Sequence, residues 1–138
     1  MVNKTFKIIF LSTDGKKFED TCSSLYLDVP EYGVIGITPD RISYCGMIYI
    51  GFVYYYKDNI KNYVAVSGGL VNFRDNVATI LTDTFERSDE LDEARILKAK
   101  ERAEMILNKH EDIDQKTYDD AMFSLKKSLN RLKLLGKK

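Results

Sequence analysis

The sequence predicts an α+β fold, in which an N-terminal antiparallel β-sandwich precedes a C-terminal antiparallel two-helix hairpin. Two contrasts between the halves of the chain support this. Residues 1–86 hold eight of the nine tyrosines, six of the seven phenylalanines, seven of the eight glycines and both prolines. Residues 87–138 hold 13 of the 21 basic residues and 11 of the 21 acidic ones, with a single glycine. Aromatic and glycine-rich sequence favours strands and turns, whereas long charged side chains favour helix, so we place the domain boundary at residues 86 and 87.

The first domain reads as many short strands separated by turn signals, which is typical of a sandwich or barrel. Asp14-Gly15 and Arg74-Asp75-Asn76 are hairpin turns, and residues 57–62 form a polar turn. Residues 41–56 are strongly apolar but contain two glycines, so we expect two strands there. The other expected strands are Phe6–Ser12, Lys17–Glu19, Ser24–Val29, Gly33–Ile37, Tyr63–Val66, Leu70–Phe73 and Val77–Leu81.

The second domain has the periodicity of two helices joined by a short break at residues 111–114. Ser88 or Asp89 can cap the first helix, and Asp114 the second. Alanines at positions 94, 99 and 103 predict a stripe of small residues on the first helix. The second helix carries apolar residues at intervals of four and three, which predict a seam along one face. Its members are Tyr118, Met122, Leu125, Leu129 and Leu132.

Composition excludes several classes of function. The 21 basic and 21 acidic residues cancel, so no general nucleic-acid footprint is indicated. Cys22 and Cys45 are too few for a disulfide framework and are expected to be buried packing residues. No apolar run approaches the length of a membrane span. We therefore expect a cytoplasmic chain with no nucleic-acid partner and no direct membrane insertion.

Nothing in the sequence assembles a catalytic centre. His110 is the only histidine and falls in the expected helix–helix turn, where a solvated loop residue is the simpler interpretation. Ser67-Gly68-Gly69 lacks both the nucleophile-elbow and the Walker pattern, so a tight strand connection is the better interpretation. We predict no catalytic residue, no metal site and no enzyme activity.

Three motifs in fixed order carry a family resemblance. Val64–Leu70 closes a strand on Ser-Gly-Gly, Val77–Arg87 ends on Asp-Thr-Phe-Glu-Arg, and Leu91–Arg95 opens a helix with Leu-Asp-x-x-Arg. Together they resemble the epsilon subunit family of the F-type ATP synthase, with Phe85 where that family usually has alanine. The resemblance implies a non-catalytic central-stalk (rotor) subunit that binds gamma. It also implies regulation of ATP hydrolysis through C-terminal helices that reach the alpha/beta head, and a peripheral position on the inner face of the cell membrane.

The resemblance also implies an ATP site at the start of the first helix. Leu91, Asp92 and Arg95 match the family's motif, whereas Ile96 replaces its alanine. Further basic residues would complete the site, namely Arg102, Lys127 and Arg131. The alternative is that Asp92 and Arg95 only cap and solvate a helix start. Because an upstream arginine of the second helix is missing, we expect weak ATP binding or none, and no other cofactor.

The loop that faces the membrane c-ring in this family departs further from the family's sequence than the ATP motif does. The family's Gly-x-Leu-Gly-Ile-x-Pro-Gly-His-Ala-Pro-Leu corresponds here to residues 33–44, with Val34 at its polar position and Asp40 and Arg41 in place of Gly-His. Docking to a c-ring is therefore uncertain. Two alternatives remain open: a rotor subunit of an F-type-like ATPase without proton translocation, and a stand-alone β-sandwich that presents aromatic residues to a small ligand or carbohydrate.

Overall fold

A computed structural model describes residues 4–109 and 113–136 of the chain. The chain divides into two compact units, Met1–Arg87 and Ser88–Lys138. The first unit is built from strands and the second from helices, which confirms the predicted fold class. The strands are β1 (Phe6–Ser12), β2 (Lys17–Cys22), β3 (Ser24–Val29), β4 (Gly33–Ile37), β5 (Tyr44–Lys57), β6 (Ile60–Arg74), β7 (Val77–Thr82) and β8 (Phe85–Arg87). The helices are α1 (Glu93–Leu107) and α2 (Gln115–Leu135), preceded by a 3₁₀ turn at Ser88–Glu90.

The eight strands form one continuous sheet that makes both layers of the sandwich, in the order β2-β1-β7-β6-β5-β3-β4, with β8 alongside β6. Strand β6 changes partner along its length, since Val64–Val66 pair with β8 and Gly69–Arg74 pair with β7. Among the strands of residues 4–109, all pairings are antiparallel except the one between β1 and β7, which is parallel. A parallel pair needs a long connection, and here five strands lie between the two partners in sequence.

The expected hairpin turns are present. Arg74 pairs with Val77 around Asp75 and Asn76, which both have positive φ, at 51° and 58°. This is the backbone of a two-residue type I′ turn, and Asp and Asn tolerate it better than other non-glycine residues. The β5–β6 turn uses Asp58 and Asn59 in the same way, with φ of 52° and 64°.

Two glycine-based predictions were wrong. Residues 41–56 do not form two strands, because Gly46 and Gly51 are paired with β6 inside one long strand, β5. Residues 67–69 do not connect strands either, since β6 runs through them. Gly69 has φ of 145°, and a Cβ there would lie 2.0 Å from the carbonyl oxygen of Leu81. The glycine is thus required by the close approach of β6 to β7 and not by a turn.

The core of the sandwich is apolar and aromatic, with Phe10, Phe73 and Phe85 fully buried. The ring of Phe85 lies 5.5 Å from that of Phe10, centroid to centroid. The ammonium group of Lys16 lies 4.6 Å from the Phe85 centroid and donates a hydrogen bond to the Phe85 carbonyl. Phe85 therefore fills core volume where the family usually has alanine.

The two cysteines differ in burial. Cys22 is buried as expected, and burial raises the pKa of its thiol to about 12. Cys45, against expectation, is exposed because its side chain faces outward from β5.

A polar link ties β2 to β5. The hydroxyl of buried Tyr55 donates to Asp20 Oδ2 at 2.8 Å, and Lys57 Nζ lies 2.6 Å from Asp20 Oδ1. Burial alone would raise the pKa of the Asp20 carboxyl, but hydrogen bonds from Lys57, the Thr21 amide and Tyr55 outweigh it and lower the pKa. The ionised carboxylate therefore joins two strands that are not neighbours in the sheet order.

The helical unit consists of α1 and α2 packed against each other. Asp92, and not Ser88 or Asp89, caps α1, and its carboxylate accepts from the amides of Ala94 and Arg95. Ser88 and Asp89 lie instead in the separate 3₁₀ turn. Asp114 caps α2 as predicted, accepting from the Thr117 amide at 2.9 Å.

The buried faces of the helices differ from the predicted seam. Leu129 is exposed, whereas Tyr118, Met122, Leu125 and Leu132 are half-buried. The buried positions are Ile96 and Ala103 on α1 and Ala121, Ser128 and Leu134 on α2. Small residues occupy much of the buried face, because they let neighbouring backbones approach closely.

Candidate functional site

An apolar row crosses the solvent side of four adjacent strands. Met47 of β5 pairs with Leu70 of β6, Leu70 with Leu81 of β7, and Leu81 with Leu11 of β1. Met47, Leu70 and Leu81 are 63%, 49% and 44% exposed, and Leu11 is half-buried. We call these four residues the outer row. A contiguous exposed apolar patch of this kind marks a candidate interaction site.

The outer row was missed in the sequence, although a signal for it exists. Two adjacent positions are both apolar in Leu70-Val71 and again in Ile80-Leu81, although successive side chains of a strand point to opposite faces of the sheet. Val71 and Ile80 are fully buried, so their neighbours Leu70 and Leu81 must face the other way. A strand of a simple sandwich would carry polar residues at those outward positions.

A second surface, on β3, β5 and β6, is aromatic. Tyr26 and Tyr54 stack at 4.9 Å, and Tyr54 lies 5.8 Å from Tyr63. Lys61 Nζ lies over both Tyr54 and Tyr63, at 4.2 Å and 4.9 Å from their ring centroids. Because the rings pack on one another and on a lysine, these contacts occupy ring faces that a stacked sugar would need. The arrangement weighs against the carbohydrate-binding alternative.

Asp40 belongs to a polar cluster at one end of the sandwich. Its amide donates to Asn76 Oδ1 at 2.7 Å, and Asn76 Nδ2 donates to Asp40 Oδ1 at 3.0 Å. Lys4 Nζ lies 2.8 Å from Asp40 Oδ2. The hydrogen bond from Asn76 and the neighbouring Lys4 lower the pKa of the Asp40 carboxyl. Asp40 thus joins its loop to the β6–β7 turn and to the N-terminal segment.

The other two residues of the expected ring-facing loop are placed differently. Arg41 is exposed, and its guanidinium donates to the carbonyl oxygen of Gly36. Val34 lies on β4, opposite Asp28 of β3, with an exposed side chain. Asp40 has φ of 64°, which explains why a glycine suits this position in the family and why aspartate can replace it. The surface offered here combines an apolar side chain with charged groups that already have partners within the loop region.

The residues expected to bind ATP lie on both helices of the second unit. Asp92 uses its carboxylate as the N-cap of α1, so the capping role proposed as the alternative is present. Arg95 lies in the first turn and Arg102 two turns later, both exposed and on one face because they are seven residues apart. Ile96 is buried. Its side chain points away from the surface that the two arginines present.

The basic candidates of α2 occupy its C-terminal half. Lys127 and Arg131 are four residues apart and half-buried, and Lys127 Nζ lies 4.9 Å from the centroid of the Phe123 ring. Lys126 and Lys133 are exposed on another face. His110, Lys137 and Lys138 lie outside the described residues.

The Ser67 hydroxyl is engaged in structural hydrogen bonds. It accepts from the Thr84 amide at 2.7 Å and donates to the Thr84 carbonyl at 3.1 Å. Thr82 Oγ1 donates to the same carbonyl. These bonds hold the segment between β7 and β8 against β6, which is a structural role.

Within residues 4–109 and 113–136, three or more metal-ligating side chains do not come together at any point. Over the same residues, neither helix is long and apolar enough to cross a membrane.

Comparison with known proteins shows the same two-part organisation. Residues 5–88 match the β-sandwich domain of the ATP synthase delta/epsilon chain, and residues 89–136 match its long α-helix domain. The ATP synthase epsilon chain of Bacillus licheniformis is 36% identical over 130 residues, covering 94% of this chain and 96% of that protein. The epsilon chain of Halalkalibacterium halodurans is 35% identical over 135 residues, covering 96% and 98%.

A solved structure shares the fold. A chain in the cryo-EM structure of the Euglena gracilis mitochondrial ATP synthase, containing OSCP, F1 and the c-ring, superposes with a TM-score of 0.71 at 17% identity. The match covers 93% of this chain and 79% of that one. The family matches span both units and the curated relatives exceed 30% identity over nearly the whole chain. The chain therefore belongs to the ATP synthase delta/epsilon chain family, as the three motifs predicted, and it is an epsilon-type, non-catalytic subunit.

Proposed function

We propose that the chain binds the gamma-type subunit of a rotary ATP synthase or ATPase through the outer row, and that its helical unit restrains ATP hydrolysis by the alpha/beta head. In such a complex the chain would lie at the inner face of the membrane without entering it. The observation that carries the first part is the outer row. Its four side chains form one line across four hydrogen-bonded strands, so they offer a rigid surface that a partner can cover without reordering the sandwich.

The chemistry of the outer row suits a partner with an apolar face. Interfaces place apolar side chains at their centre and polar groups at the rim. The next positions along the strands are polar, with Asn72 paired to Thr79 on one side of Leu70 and Leu81. This arrangement of an apolar line beside polar neighbours favours docking of a helix from the gamma-type subunit.

Regulation is supported by the composition of the helical unit. Leu97 and Met105 are exposed on α1, and they are two turns apart on one face, which gives that face an apolar surface. The C-terminal half of α2 carries Lys126, Lys127, Arg131 and Lys133 with no acidic residue among them. A helix of this charge suits an acidic partner surface.

Native isolation tests the assignment to a complex. The tagged chain is purified under mild conditions and every co-purifying subunit is identified by mass spectrometry. We expect the gamma-type and the alpha/beta-type subunits. Recovery of the chain as a monomer would contradict the proposal and favour a stand-alone module. Presence of a c-ring would indicate coupling to ion transport, and its consistent absence would indicate an F-type-like motor without proton translocation.

Truncation tests the regulatory part. A chain that ends at Ser88 keeps the whole sandwich, so it should still assemble, while ATP hydrolysis by the complex should rise at low ATP. The control is the amount of truncated chain that co-purifies with the gamma-type subunit. Unchanged hydrolysis with full incorporation would overturn regulation and leave the rotor role standing.

A further inference from the structure

The hydroxyl of Ser128 has no hydrogen-bond partner among the described residues, although the side chain is only 1% exposed. A buried hydroxyl that gives up water without a replacement destabilises the state that buries it. The buried hydroxyls of the sandwich differ from Ser128, because those of Ser12, Ser67 and Thr82 all take part in hydrogen bonds. Among the described side chains, the unsatisfied group therefore lies in the helical unit.

Three of the five buried positions on the described parts of the two helices hold small side chains. Ser128 and Ala121 are buried two turns apart on one face of α2, and Ala103 is buried on α1. Meanwhile Leu97, Met105 and Leu129 are 41%, 62% and 41% exposed. Ile96 and Leu134 are large and buried, but small side chains hold the other buried positions while several larger apolar side chains face solvent, and this stabilises the hairpin less than a fully apolar seam would.

We propose that Ser128 lowers the free-energy difference between the closed helical hairpin described here and an opened state, and so sets how readily the hairpin opens. The regulatory consequence rests on the proposed function, whereas the effect of Ser128 on the closed state does not. Any rearrangement that exposes this face of α2 hydrates the hydroxyl and removes the penalty. Leu97, Met105 and Leu129 already face solvent in the closed hairpin, so they contribute less to holding it closed than buried residues would. The closed state is thereby kept only slightly more stable than its alternative.

The test compares two serine-to-alanine substitutions in α2 of the full chain. Ser128→Ala removes the unsatisfied hydroxyl, and Ser124→Ala makes the same chemical change one turn earlier, at a half-buried position. Both gain the same intrinsic helix propensity, so their difference reports the buried hydroxyl. Amide hydrogen exchange across residues 115–136 measures opening directly. We expect Ser128→Ala to slow exchange by about tenfold or more relative to Ser124→Ala.

Equal protection in the two variants, or faster exchange in Ser128→Ala, would overturn the proposal, because the hydroxyl would then not weaken the closed state. A second measurement separates this from the proposed function. In the assembled complex, Ser128→Ala should raise ATP hydrolysis at low ATP, since fewer hairpins would open toward the head. Slower exchange with unchanged hydrolysis would support the role of Ser128 in the closed state and count against inhibition by the opened helices.

Discussion

Asp40 and Asn76 bind each other reciprocally, the amide of Asp40 donating to the Asn76 side chain at 2.7 Å and the Asn76 side chain donating back to the Asp40 carboxylate at 3.0 Å. The two residues lie in different loops, so these hydrogen bonds join the loops. Asp40 also has a positive φ, which aspartate adopts more readily than most other non-glycine residues.

Substitutions at Asp40 should separate these two roles. Asp40→Gly keeps a residue suited to positive φ but loses the side-chain contacts, whereas Asp40→Ala loses the contacts and adds backbone strain. We expect the thermal midpoint to fall in the order unchanged chain, Asp40→Gly, Asp40→Ala. Differential scanning calorimetry provides the measurement. An alanine variant as stable as the glycine variant would show that φ at this position adapts freely.

Gly69 should be the glycine least tolerant of substitution. A Cβ at this position would meet the Leu81 carbonyl and also suffer from φ of 145°, so Gly69→Ala should destabilise the sandwich by about 2–5 kcal/mol. Gly51 is the matched control, since a Cβ there meets nothing within 4 Å. Gly51→Ala should stay within about 0.5 kcal/mol of the unchanged chain in urea unfolding. Similar losses in both variants would contradict the close-approach explanation.

The fold class follows from the sequence because its signals are local. Asp75-Asn76 and Asp58-Asn59 specify turns through their own backbone preferences, and Asp114 caps α2 within its first turn. Gly69 misled the prediction because its requirement comes from Leu81, a contact between strands that no local pattern reveals.

Long-range pairing also decided the candidate sites. The outer row exists only once Met47, Leu70, Leu81 and Leu11 are brought into register on four strands. Asp40 was singled out as a difference from the family, but its bond to Asn76 could not be foreseen, because the two residues are 36 positions apart. Leu129 fits the apolar periodicity of α2 and is nevertheless exposed, since Ala121, Ser128 and Leu134 form the buried face.

Acid should weaken the link between β2 and β5. Because the pKa of Asp20 is lowered in the folded chain, its contribution to stability is present above the unfolded value of about 4 and is lost as the pH falls through the folded value. Asp20→Asn should therefore be less stable than the unchanged chain at pH 7, and the difference should shrink toward pH 2. Chemical unfolding at a series of pH values checks this. Asp28→Asn, which removes an exposed carboxylate of β3, is the control. If Asp20→Asn were less stable than the unchanged chain by the same amount at every pH, ionisation of Asp20 would not be the cause.

ATP should bind the isolated chain weakly or not at all. Each charge-assisted contact to a phosphate chain contributes about 1.5–3 kcal/mol, and the second helix lacks the upstream arginine that the resemblance implies for an ATP site. Calorimetric titration of the chain and of Arg95→Ala provides the measurement, with Lys109→Ala as a control outside the candidate set. Micromolar affinity that disappears in Arg95→Ala would show that Asp92, Arg95, Arg102, Lys127 and Arg131 form a functional site.

Affinity for the gamma-type subunit tests the central claim most directly. Leu70→Glu combined with Leu81→Glu puts two charges at the centre of the outer row without changing a buried residue, so the sandwich should remain folded by circular dichroism. We predict that its affinity for the gamma-type subunit, measured by calorimetry, falls by about a hundredfold. Ile60→Glu, which changes an exposed apolar residue at the β5–β6 turn, should bind like the unchanged chain. Unaltered affinity of the folded double variant would contradict the assignment of the outer row as the gamma-binding surface.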